Sequence, residues 1–113
     1  MKYGLITFIF ITFPVLAQTF LPGTEDIPFM KGLEQVEETA SFDSPEERMV
    51  LVNAQSTLSS LKIFRFYSET LKNLGWSERK TGIFVRGNDS FSIEIIPDGK
   101  NNQIQFRLSQ RNP

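Results

Sequence analysis

Residues 59–76 read SSLKIFRFYSETLKNLGW, the one stretch of the chain with a sustained helical period. At about 100° per residue, Leu61, Ile63, Phe64, Phe66, Tyr67, Leu71 and Leu74 fall within one arc of about 220°, and Lys62, Arg65, Glu69, Lys72 and Asn73 fill the rest. A surface helix needs an apolar stripe only a little wider than about 100°. The excess means either that a sheet wraps round this helix or that its flank is offered to a partner. Ser59 or Ser60 supplies a hydroxyl for the free N–H groups at the start, Lys72 puts a cation in the last turn, and Gly75 can take the left-handed conformation that ends a helix. The expected core set is Leu61, Phe64, Tyr67, Leu71, Leu74 and Trp76. Tyr67 needs a hydrogen-bond partner for its hydroxyl if it is buried, and Trp76, directly after the helix stop, is expected to close the end of the core.

The flanking residues read as strands. Residues 34–42 form a first strand with Val36, Ala40 and Phe42 on one face, although Glu38 shares their parity. Ser44-Pro45-Glu46-Glu47 suits a tight turn because proline presets its φ. Residues 48–55 form a second strand, whose run of four apolar residues suggests burial on both faces or a place near the sheet centre. After the helix, residues 76–86 read as one strand with a bulge at Thr81-Gly82. Two cleanly alternating strands follow, one carrying Phe91, Ile93 and Ile95 and the other Ile104, Phe106 and Leu108, separated by the turn formers of residues 97–102. The order β-β-α-β-β-β with short connections predicts an α+β fold: an antiparallel sheet of about five strands, one amphipathic helix across one face, and the other face wet.

Residues 1–17 have the three parts of a secretory signal peptide: Lys2, an apolar run beginning at Gly4, and Pro14-Val15-Leu16-Ala17 with aliphatic and small residues before a cut. The apolar run is about 14 residues and a spanning helix needs about 20, so cleavage after Ala17 is expected, with an uncleaved anchor as the alternative. The processed chain would be periplasmic or secreted. Removing 17 residues from 113 leaves 96, enough for one domain. Residues 18–33 form an irregular arm, too apolar for a solvated linker, that either covers the core or engages another protein, and residues 34–113 form the α+β domain.

With no cysteine, the core must hold without disulfides. With no histidine either, the commonest general base and the nitrogen and sulfur metal ligands are missing, which leaves carboxylate or Ser-Lys chemistry. Glu37 and Glu38 are adjacent on a strand and point to opposite faces, while Ser60 and Lys62 are two apart on a helix and do not meet. Asp43, Glu46 and Glu47 flank one turn, where clustered oxygens suit Ca²⁺; the alternative is an acidic turn in solvent. The loop at residues 98–102 lacks the glutamate and alternating ligands of a calcium loop and reads as a hairpin turn. No cofactor is implied.

Charge is divided along the chain. Residues 18–58 carry eight acidic and two basic residues, a net of −6, and residues 59–113 carry five acidic and nine basic, a net of +4. Either the halves pack together and pair their charges at the rim, or the surface is dipolar and docks a charged partner. The cations are scattered, which argues against nucleic acid. Arg79, Lys80, Arg86 and Arg107 are expected to form a basic stripe on the wet face of the sheet, facing either solvent or a partner.

Three segments, PFMKGLEQVEETASFDSPEERMV (residues 28–50), FRFYSETLKNLGW (64–76) and GIFVRGNDSFSIEI (82–95), resemble small exported proteins of unknown function from Gram-negative, especially alphaproteobacterial, genomes. The resemblance spans most of residues 30–96. It implies a periplasmic α+β domain and no reaction.

These readings lead to a non-catalytic exported module of the envelope that binds a protein or peptide through its sheet edge, its wet face or its arm. One alternative is a ligand- or metal-binding domain using Asp43, Glu46 and Glu47. Another is a membrane-tethered accessory subunit that keeps its leader. Intact-mass measurement of the exported protein tests the leader: the expected N-terminus is Gln18, and a mass retaining residues 1–17 would favour the anchor.

Overall fold

The computed structural model describes residues 19–112; the expected leader lies outside the described residues. Seven strands and one helix follow in the order β1 (Glu34–Gln35), β2 (Ala40–Asp43), β3 (Glu47–Ser56), α1 (Ser60–Asn73), β4 (Ser77–Lys80), β5 (Ile83–Arg86), β6 (Asp89–Asp98) and β7 (Asn101–Arg111). All pairings are antiparallel, in the order β1-β3-β7-β6-β5-β4, with β2 also on β3. The fold is α+β, with the helix packed on one face of the sheet. Among the described residues, no helix is long and apolar enough to cross a membrane.

Two expected strands are each a pair. The first is broken between β1 and β2, where Glu37 adopts φ 64 and residues 37–39 leave the ladder. The expected bulge at Thr81-Gly82 is a hairpin turn between β4 and β5. Gly82 is required there: its φ is 79, and a Cβ would lie 2.7 Å from the Ile93 carbonyl and 2.8 Å from the Phe64 ring.

The helix starts where Ser59 Oγ accepts from Lys62 N–H at 3.2 Å. It ends in a Schellman motif, with Gly75 at φ 89, Trp76 N–H donating to the Leu71 carbonyl and Gly75 N–H to Lys72. Ile63, Tyr67 and Leu71 face the sheet and are buried, flanked by partly buried Phe64, Phe66 and Leu74. Leu61, expected in the core, is instead 65% exposed. Six residues at about 100° each put it about 120° round the helix from Tyr67, at the edge of the apolar arc.

The wide arc is covered by more than the sheet. On one flank Phe64 leans on the β4–β5 turn. On the other lies the arm, which buries Leu21, Ile27, Met30 and Leu33 on the same face of the sheet. The arm closes on itself through a bridge between Phe20 and Pro28. It meets the helix at the Tyr67 hydroxyl, which donates to the Pro28 carbonyl at 3.0 Å and accepts from Met30 N–H at 3.1 Å. Beneath, Phe91 and Phe106 stack at 5.9 Å, Tyr67 packs at 5.3 Å from Phe106, and Trp76 packs at 6.1 Å from Phe91. The indole N–H of Trp76 is buried without a partner among the described residues.

Burial pushes the Tyr67 phenol above its ordinary value of 10.0, against the opposing effect of the Met30 hydrogen bond. The folded state therefore keeps this proton where the unfolded chain has lost it, so the stability linked to it is complete below pH 10 and falls as pH rises further. Tyr67→Phe strands the Met30 N–H and the Pro28 carbonyl and should cost about 1–3 kcal/mol at neutral pH. Urea unfolding from pH 7 to 11 checks both effects: the variant starts lower and lacks this component of the alkaline loss.

Candidate interaction surface

Residues paired across antiparallel strands share a face, so the register sorts the sheet directly. Val50, Leu108 and Phe91 lie in one row and Val52, Phe106 and Ile93 in the next, all buried beneath the helix and arm. The opposite face carries the alternate residues. One row runs Phe42, Met49, Ser109, Ser90, Val85, Ser77. The next runs Ala40, Leu51, Arg107, Ser92, Ile83, Lys80. Beyond them lie Asn53, Gln105 and Glu94, then Gln55, Gln103 and Ile96.

No described segment covers this face. Phe42 is 59% exposed, Ile96 55% and Ile83 42%, while Met49, Leu51 and Val85 are half-buried. Two of the apolar residues, Phe42 and Met49, are direct cross-strand partners. The run of four apolar residues in β3 is thus divided: Val50 and Val52 point into the core, while Met49 and Leu51 stand on the open face. A shallow depression of about 250 Å³ opens beside Val36, Glu37, Asn53, Glu94, Ile96 and Gln105.

The four cations expected in a stripe do not share this face. Arg107 stands near its middle, exposed, and makes no ion pair among the described residues. Lys80 lies level with Ile83 at the edge, and Arg79 is the residue where the β4–β5 register shifts. Arg86 belongs to the core face. Its guanidinium lies 4.4 Å from the Trp76 ring centroid, donates to Asp26 at 2.8 Å and donates to the Leu74 carbonyl at 3.0 Å. It is level with Asp89, Gln110 and Arg48, and Arg48 donates to Gln110 at 2.9 Å and to the Gly23 carbonyl at 2.7 Å. The two arginines therefore fasten the arm to the end of the sheet. Their partners Gly23 and Asp26 lie in the arm, whose lack of a period gives no sign in the sequence of where it packs.

The acidic turn does not converge either. Asp43 approaches Arg48 at 3.8 Å, the Glu47 carboxylate accepts from the Ser109 hydroxyl on the open face, and Glu46 is exposed. Among the described residues, no group of three or more Asp and Glu side chains is placed to hold a metal ion. A cleft of about 430 Å³ lies between the helix and β4, floored by Trp76 and Phe84, with Ser68 donating to Glu78 at 2.7 Å across it. Comparison with known proteins finds no matching family model, curated protein or solved structure.

If Arg86 is a fastener, Arg86→Ala should lower stability by about 1–2 kcal/mol, from lost packing on Trp76 and a half-exposed ion pair. Hydrogen exchange should then show faster opening at Leu21 and Phe29, whose N–H groups bond within the arm. Unchanged exchange there would mean that the arm is held without it.

Proposed function

We propose that this chain is a non-catalytic exported module of the bacterial envelope that acts by binding a protein through the open face of its sheet. The observation that carries the reading is the arrangement round Arg107: an exposed guanidinium, without an ion pair among the described residues, flanked by Leu51 in its own row, with Ile83 two strands further on. An exposed arginine set among apolar side chains fits the composition of interface cores, in which arginine and methionine are enriched. The complementary partner surface presents apolar side chains around a carboxylate. The export signal read from residues 1–17 supports the envelope as the place of action.

The arm is a weaker candidate for the binding element, because its large apolar side chains Leu21, Ile27, Met30 and Leu33 are already buried in the chain's own core. The edges are weaker too. β4 has four residues, two of them the cations Arg79 and Lys80, and a register irregularity, all of which discourage strand addition.

The test is affinity capture after in-cell cross-linking of the tagged protein, comparing wild type with Leu51→Asp/Ile83→Asp. Both positions are off the core, so the double variant should fold with a Tm near that of wild type and lose the cross-linked partner. A folded variant that captures the same protein in the same amount would overturn the reading.

A further inference from the structure

The open face carries its own complement to Arg107. Glu94 lies on the same face, opposite Gln105 and therefore diagonal to Arg107 across β6 and β7. Diagonal neighbours are about 7–8 Å apart at Cα. Both side chains are exposed, and neither makes an ion pair among the described residues. A cation and an anion at that spacing on one uncovered face form a self-complementary pair, because a two-fold axis lying in the interface and midway between them sets each against its opposite on the other copy.

The apolar residues obey the same operation. On a lattice of strands about 4.8 Å apart with about 6.8 Å for every two residues, the axis that bisects Arg107 and Glu94 carries Leu51 close to the position of Ile96. It returns Ile83 to the neighbourhood of Ile83 and Val85, and it passes near Ser92 and Gln105. The residues that meet themselves at the axis are thus a serine, a glutamine and an isoleucine, none of which repels its own copy. Arg107 and Glu94 meet their opposites and Leu51 meets Ile96, while Lys80 at the sheet edge falls on Val85, where its aliphatic stem packs and its ammonium reaches water, and Phe42 and Met49 lie outside the overlap. The strands of the two sheets cross steeply, at roughly 70°, near the orthogonal class of sheet packing.

We infer that the protein bound on this face is a second copy of the chain, in a two-fold dimer in which Arg107 of each copy pairs with Glu94 of the other. This rests on the reading of the open face as the interaction surface and names its occupant. A different protein supplying the carboxylate is the competing outcome.

Sedimentation velocity of the exported, processed protein from about 1 to 500 μM tests it, alongside Arg107→Glu, Glu94→Arg and the double exchange Arg107→Glu/Glu94→Arg. Wild type is expected to dimerise within that range, and each single reversal to weaken self-association about tenfold or more by setting like charges together. The double exchange restores the dimer, because a charge swap about a two-fold axis regenerates both pairs. Near-UV circular dichroism identical to wild type confirms that each variant is folded; these positions are exposed, so no core contact is altered. A wild type that stays monomeric throughout, or a folded double exchange that stays as weak as the single reversals, overturns the dimer. Failure of the wider reading is separate. If wild type is monomeric and Leu51→Asp/Ile83→Asp still loses a captured envelope protein, the face binds a different partner and only the second copy falls. If that variant captures everything that wild type does, the open face itself is not the interaction surface.

Discussion

The buried phenol of Tyr67 is the constraint on which the rest of the architecture depends. A tyrosine hydroxyl withdrawn from water must find partners, and here it finds the backbone of an arm with almost no secondary structure of its own. The exchange works in both directions. Tyr67 satisfies an otherwise orphaned Met30 N–H and Pro28 carbonyl, and the arm in turn roofs the part of the core that a 14-residue helix leaves uncovered. The sheet is six strand positions wide, more than one 14-residue helix covers, and the arm supplies the second covering element.

The arm is held at three places along its length. Arg48 and Arg86 hold Gly23 and Asp26, Tyr67 holds Pro28 and Met30, and Ser56 Oγ donates to the Gly32 carbonyl at 2.7 Å. These fastenings also bear on the opposed charges of the two halves. The acidic first half and basic second half are interleaved in one sheet, since β3 pairs with β7 along its whole length. Among the described residues one ion pair, Asp26 with Arg86, joins them across the core face, while Asp43 with Arg48 lies within the first half. The remaining charges lie mostly at the surface, where loosely paired ions contribute little to stability.

Much of this fold was legible from periodicity. The helix, its Ser59 and Gly75 ends, and the strands carrying Phe91 to Ile95 and Ile104 to Leu108 all follow patterns in which side-chain spacing and backbone geometry agree. What periodicity missed was local. A glycine with φ 79 serves a bulge or a turn equally well, so Thr81-Gly82 could be read as either until the pairing of Ser77 with Val85 was known. A non-glycine residue with positive φ, such as Glu37, leaves no mark in sequence at all. The interaction surface was half legible for a related reason. Charged residues stand out in a strand, so Arg107 was noticed, but so was Arg86, which faces the other way; parity separates them only once β5 has its own register. Met49 and Leu51 were absorbed into a buried run because alternation cannot be seen where both faces are apolar.

Connection lengths explain why one face of the sheet has nothing on it. β4 to β5, β5 to β6 and β6 to β7 are joined by two-residue turns, and the two longer segments, the arm and α1, both lie on the core face. No described segment is left for the other side. Part of this face is polar, at Asn53, Gln105, Ser92 and Ser109. Strand preference alone accounts for Val85 and Ile83, since β-branched residues fit a pleated surface. It accounts for Ile96 in the same way, but not for Met49 and Leu51, which are not β-branched. Phe42 with Met49 and Ala40 with Leu51 form cross-strand pairs at one side of the face, yet Phe42 stays 59% exposed, and at the other side Ile83 and Ile96 stand opposite the polar Ser92 and Gln103. Exposed apolar residues therefore stand on both sides of Arg107, Phe42 on one and Ile83 and Ile96 on the other, and a partner centred on the cation covers those nearest it.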